Sequence, residues 1–143
     1  MKGINSPSSQ HPPGKRIGGK KFIPGIAWFF FVLVLLCLPG SDIPTVEGWI
    51  NKIYLDKWVH VGLFTILAFL FMLPFIRTTL SIKEKWHYLL KIAIAVSLWG
   101  LTSEFIQKFF IPGRSFDLFD WSADSLGALI ALLFCRNRYL KQV

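Results

Sequence analysis

The chain has 143 residues, 53% of them apolar, a mean hydropathy of +0.50 and a net charge of +8. Such hydropathy excludes an ordinary soluble domain. The basic residues flank apolar blocks and form no basic face of their own, so the charge points to membrane topology and anionic lipid, and away from nucleic acid.

Residues 1–21 are rich in Ser, Pro, Gly and Lys, as in Ser6-Pro7-Ser8-Ser9 and Pro12-Pro13-Gly14. This composition predicts a disordered basic tail on the cytoplasmic side. A charge-free block follows from Ile23 to Leu38 and ends at Pro39-Gly40. Basic residues ahead of an apolar run resemble a signal peptide, but no small-x-small cleavage site follows, so the segment is expected to be retained. The connection from Ser41 to Leu55 contains Val46 to Ile50, which suits a short interfacial helix.

The second block, Trp58 to Ile76, has His60 as its only titratable group. A short basic connection, Arg77 to His87, leads to a third block, Tyr88 to Phe105, with Lys91 near its start and Glu104 near its end. Phe109 to Arg114 reads as a tight loop broken by Pro112 and Gly113. The fourth block, Leu118 to Phe134, carries Asp120 and Asp124, and residues 136–143 form a second basic tail.

Each block is near the length a helix needs to cross about 30 Å of hydrocarbon. The reading is an all-α integral membrane bundle of four transmembrane helices over residues 22–135, in the bacterial cytoplasmic membrane. Twelve of the sixteen basic residues fall on one side of this layout, which places both termini in the cytoplasm. Trp28 and Trp86 fall near inner ends of spans, and Trp58 and Trp121 near outer ends, with Trp49 in the outer connection. Trp99 lies mid-span and is expected to pack. Cys37 and Cys135 fall at opposite faces, too far apart for a disulfide.

Seven of the eight acidic residues fall on the outer side. Asp117, Asp120 and Asp124 are spaced three and then four, so they share one helical face. Asp117 and Asp120 can simply sit among headgroups at a helix start, where negative charge favours the dipole. Asp124 lies about 10 Å further along, and at that depth it needs a partner or a proton. Glu104 has Gln107 one turn away, and either pairs with Lys108 or faces the aspartate stripe. Arg114, in the intervening loop, is the expected counter-ion, and its planar fork suits a carboxylate or phosphate. Asp56 and His60, spaced i and i+4, let the carboxylate orient the imidazole.

Histidine among carboxylates can ligate a divalent metal. There is no HExxH and no paired-cysteine motif, so no metal and no cofactor is expected. There is no GxSxG and no Gly-rich phosphate loop either.

Asp56-Lys57-x-x-His60, Glu104-x-x-Gln107, Pro112-Gly113-Arg114-Ser115 and Asp120-x-x-Ala123-Asp124-x-x-Gly127, in that order, resemble the VanZ-like family over about residues 40 to 134. Relatives commonly carry Asn where this chain has Asp124. The resemblance implies a small multi-span membrane protein of the cell envelope. It ties its namesake to glycopeptide resistance and assigns no reaction.

Two readings stand side by side. In the first, an outward-facing polar pocket binds or acts on a lipid-linked or cell-wall precursor. Glu104, Asp120 and His60 are then the catalytic candidates, and Arg114, Gln107, Asp124, Asp56 and Lys57 the substrate-binding candidates. In the second, the protein is not an enzyme, and the cluster holds helices in register or binds lipid or a partner. A cross-membrane ion path is disfavoured, because Lys91 is the only charge in the inner halves. Gly100, Gly127 and Ala128 are expected to mark contacts if the chain forms a homo-oligomer.

Overall fold

The computed structural model describes residues 17–38 and 49–140, with the side chains of 49–55 left aside. The expectations for the tail over 1–16, for the span end at Pro39-Gly40 and for helix at 46–48 lie outside these residues. The side chain of Trp49 does too.

A 3-10 turn, Gly19–Phe22, leads into α1, Ile23–Leu36, with Pro24 in its first turn, where a missing N–H costs nothing. α2 runs over Trp49–Ile76, α3 over Ile82–Phe110 and α4 over Leu118–Cys135, and a π-helical turn, Arg136–Leu140, follows. No strand occurs among the described residues. Four helical stretches, Gly19–Leu36, Asp56–Ile76, Ile82–Phe110 and Leu118–Leu140, are long and apolar enough to cross a membrane.

Two helices start earlier than hydropathy alone suggests. The connection expected to reach Leu55 is already helical from Trp49, and the one expected to reach His87 is helical from Ile82. The reason is local. No Gly or Pro interrupts residues 49–61, and Ser81 and Glu84 form a capping box that fixes the start of α3 before its apolar stretch begins. The loop before α4 turns at Gly113, whose φ of 76° lies in the left-handed region that glycine reaches without strain.

α2 and α4 form the most extensive helix pair, α3 packs on both, and α1 lies chiefly against α2. The core is built from Val32, Phe64, Leu67, Met72, Leu89 and Ala131. α4 turns Ala123, Gly127, Ala128 and Ala131 inward. A Cβ on Gly127 would lie 2.5 Å from the Val61 carbonyl oxygen, so hydrogen at this position lets two backbones touch. The Thr65 hydroxyl lies between the carbonyls of Val61 and Gly127, at 2.7 and 3.1 Å. Ser97 and Ser125 hydroxyls meet at 2.7 Å, and Trp121 donates to the Ser97 carbonyl.

The glycines expected at an oligomer contact are therefore consumed within one chain. Gly100 backs onto Asp124, Gly127 onto α2, and Ala128 is buried. Trp99 packs on Phe29, as expected of a mid-span indole, with ring centroids 4.7 Å apart. Outside the bundle, Phe30, Ile94, Leu98, Phe119 and Phe134 are each more than half exposed, which is the surface lipid covers.

Candidate functional site

The start of α2, the end of α3 and the start of α4 lie together at one end of the bundle, and the polar residues of all three converge there. Lys57 and His60 are one turn apart and face the same neighbour. On α4, Asp117 caps the helix by accepting the Phe119 N–H, while Asp120 and Asp124 follow down the inward face. On α3, Ser103, Glu104 and Gln107 are all buried.

Lys57 is the central cation. Its Nζ reaches Asp117 Oδ2 at 2.7 Å and pairs closely with Asp120 Oδ1. Partial burial works against charge on Asp117. The Lys57 ammonium and the Phe119 N–H outweigh it and hold the carboxyl below its usual range. One layer deeper, His60 Nδ1 lies 2.9 Å from Asp124 Oδ1. Glu104 Oε2 accepts the backbone N–H of Asp117 at 2.9 Å, which ties α3 to the first turn of α4. Gln107 donates through Nε2 to the Leu36 carbonyl at 3.0 Å, so it closes the end of α1.

Two sequence expectations change. Arg114 is not the counter-ion of the acids: it makes no ion pair among the described residues, and Lys57 takes that place. The Lys57 stem rises from the same helix face as His60, whereas Arg114 stands in the turn before α4, its backbone N–H bonding the Ile111 carbonyl. Asp56 does not orient the imidazole, because Asp124 does so from across the helix pair. Of the two alternatives for Glu104, the one facing the aspartate stripe is found: its carboxylate accepts the Asp117 N–H, while the Lys108 ammonium lies over the Phe109 ring. Gln107, a candidate for ligand binding, also holds the end of α1.

The interior of the cluster is closed. Glu104 and Asp124 are 0% exposed and His60 3%. Open clefts elsewhere are apolar, one between α3 and α4 around Leu90 and Leu129, another around Phe71 and Ile92. Yet the cluster is not internally satisfied. Glu104 Oε1 and Asp124 Oδ2 have no hydrogen-bond partner among the described residues. Buried carboxylate oxygens without partners are costly and call for a proton, a cation or a ligand. Gly100 creates the room for one of them, since a Cβ there would lie 2.7 Å from Asp124 Oδ2. Sequence reasoning missed that role. The signal was small-residue spacing, which does not say which neighbour needs the space.

The VanZ/LLP1 family model matches residues 26–140, a stretch that holds every residue of the cluster. No curated protein and no solved structure matches the chain.

Proposed function

This chain belongs to the VanZ/LLP1 family, and on that premise we propose that it is an integral membrane protein of the bacterial cell envelope whose polar cluster receives the head of an amphiphilic envelope molecule. The asymmetry of basic residues supports cytoplasmic termini and an extracytoplasmic cluster. The observation that carries the reading is the convergence of charged groups from three helices around two unpartnered, buried carboxylate oxygens. A bundle this apolar gains nothing from such groups unless they bind something or hold the helices together.

In this reading Arg114, free of ion pairs among the described residues, takes an anionic group such as a phosphate. Glu104 is the better placed acid–base group, since Lys57 already engages Asp120. His60 assists, oriented by Asp124. Lipid-linked and cell-wall precursors fit because their charged heads and apolar tails match a charged end on an apolar bundle. The link to glycopeptide susceptibility rests on the family name.

The test is a Glu104→Gln, Asp120→Asn double variant in a strain lacking the wild-type gene, with membrane levels verified. Loss of the envelope phenotype, with a precursor accumulating in lipid extracts, supports the reading. A wild-type phenotype at normal protein levels overturns it.

A purely structural role is favoured by one observation, the Lys57 bridge to Asp117 and Asp120 across α2 and α4. Exchanging Lys57 and Asp120 discriminates. Restoration by the exchange assigns the pair to architecture, and persistent loss in a folded protein assigns it to ligand chemistry.

A further inference from the structure

We propose that His60, Glu104 and Asp124 form a binding site for a first-row divalent cation such as Zn2+ or Mn2+. The site stands whether or not an amphiphile reaches the cluster. One ring nitrogen of His60 and one carboxylate oxygen each from Glu104 and Asp124 lie within 4.8 Å of one another. Ligands about 2.1 Å from a shared zinc stand about 3.4 Å apart in a tetrahedron, so small side-chain rotations suffice to close the set.

Two further observations point to a ligand there. First, Glu104 Oε1 and Asp124 Oδ2 are fully buried and without partners among the described residues. Second, no cation outside the set serves these oxygens among the described residues: Lys57 is engaged by Asp117 and Asp120, and Arg114 pairs with neither Glu104 nor Asp124. A divalent cation supplies the charge that two buried carboxylates require. The Asp124 carboxylate packs directly against Gly100, where a Cβ would lie 2.7 Å from Oδ2, so a side chain at that position would displace this ligand.

Imidazole with two carboxylates is a donor set of the first-row divalent metals. His60 Nδ1 already lies 2.9 Å from Asp124 Oδ1, so an ion shared by the two would take the place of the proton between them after a small rotation of each side chain. A second grouping, Asp56, His60 and Asp120, shares the imidazole, but Lys57 already holds its Asp120 oxygen. The three ligands come from α2, α3 and α4, so the ion would clamp the three helices at their shared end.

The experiment measures metal in the tag-free, full-length protein purified in detergent, then titrates Zn2+ and Mn2+ into chelator-stripped protein while following its melting temperature. Wild type is expected to retain one ion per chain and to be stabilised on reloading. Asp124→Asn, Glu104→Gln and Gly100→Ala are each expected to weaken binding at least about tenfold. His87→Ala, far from the cluster, is expected to bind as wild type does.

Should a variant fail to accumulate, wild type decides alone. Co2+ added to the stripped protein is expected to give visible d–d bands, removed by competing Zn2+. Absence of those bands, no melting shift with either ion, or unchanged binding in a folded His60→Ala, Glu104→Gln, Asp124→Asn triple variant overturns the site.

Discussion

Gly127→Ala tests how tightly the α2–α4 contact controls the polar cluster. The added methyl would sit 2.5 Å from the Val61 carbonyl oxygen, 3.0 Å from the Thr65 nitrogen and 3.2 Å from Phe64 Cβ. Two of these atoms are backbone, so no side chain can rotate away and the helices must part. Reaching the 3.4 Å at which ordinary contact begins takes roughly 0.9 Å at Val61. His60 precedes Val61 directly, and Asp124 lies one turn before Gly127. If the displacement carries to that layer, the 2.9 Å bond between them opens to about 3.8 Å, beyond hydrogen-bond range. Overpacking costs about 1–3 kcal/mol, and loss of a bond to a charged group adds about 1.5–3 kcal/mol. Relief of glycine's backbone entropy returns about 0.5–1 kcal/mol. The expected net loss is about 1.5–5.5 kcal/mol, read from reversible unfolding in mixed micelles by tryptophan fluorescence. Gly62→Ala is the control, because its methyl meets nothing within 4 Å and is expected to be neutral or mildly stabilising. The coupling is tested in a His60→Ala background, where Gly127→Ala should cost less because the bond is already gone. A wild-type unfolding midpoint for Gly127→Ala would refute the close contact, and strict additivity with His60→Ala would refute its transmission to the cluster.

Lys57→Met leaves Asp120 without its cation, and is expected to lose about 1–3 kcal/mol, less than a fully buried pair because Asp117 keeps water. Adding Asp120→Asn should recover part of that loss in the same unfolding assay, and an equal deficit in both backgrounds would contradict the pairing. Gln107→Leu removes the bond to the Leu36 carbonyl and should cost about 1 kcal/mol, with faster hydrogen exchange confined to the last turn of α1. Uniform exchange across α1 would argue against a local clasp. The Asp117 carboxyl is held below its usual range, so its stabilising contribution is complete above about pH 4, the ordinary carboxylate value, and is lost as pH falls through the lower folded value. Asp117→Asn should therefore flatten the acid limb of the stability profile and leave the limb above neutrality unchanged, and an unaltered acid limb would remove Asp117 from the account.

Much of the architecture is legible in the residues. Apolar blocks at bilayer length, a capping box at Ser81 and Glu84, and a Pro112-Gly113 break each act through local chemistry, so each appears directly in the chain. The i, i+3, i+7 stripe of Asp117, Asp120 and Asp124 likewise follows from helical geometry and is found facing inward, with Asp120 and Asp124 buried. Pairing is less legible. Arg114 looked like the counter-ion because it stands near the acids in sequence, while Lys57, about 60 residues away, performs the task across a helix contact. An i, i+4 rule ties His60 to Asp56, yet the packing of α2 on α4 gives it Asp124.

The sequence by itself determined that the chain is helical, that four segments suit a membrane, that the acids gather near one end, and the motifs of the family. These depend on composition, periodicity and short-range spacing, which are properties of one segment at a time. Only the tertiary structure decided that Lys57 joins Asp117 and Asp120, that Gln107 closes α1, that Gly100 and Gly127 serve contacts within the chain, and that His60, Glu104 and Asp124 meet around unpartnered oxygens. Those outcomes depend on how far each helix is rotated and how closely its backbone approaches the next. The close approach at Gly127, where a Cβ would lie 2.5 Å from the Val61 carbonyl oxygen, is a contact of this kind, invisible along the chain.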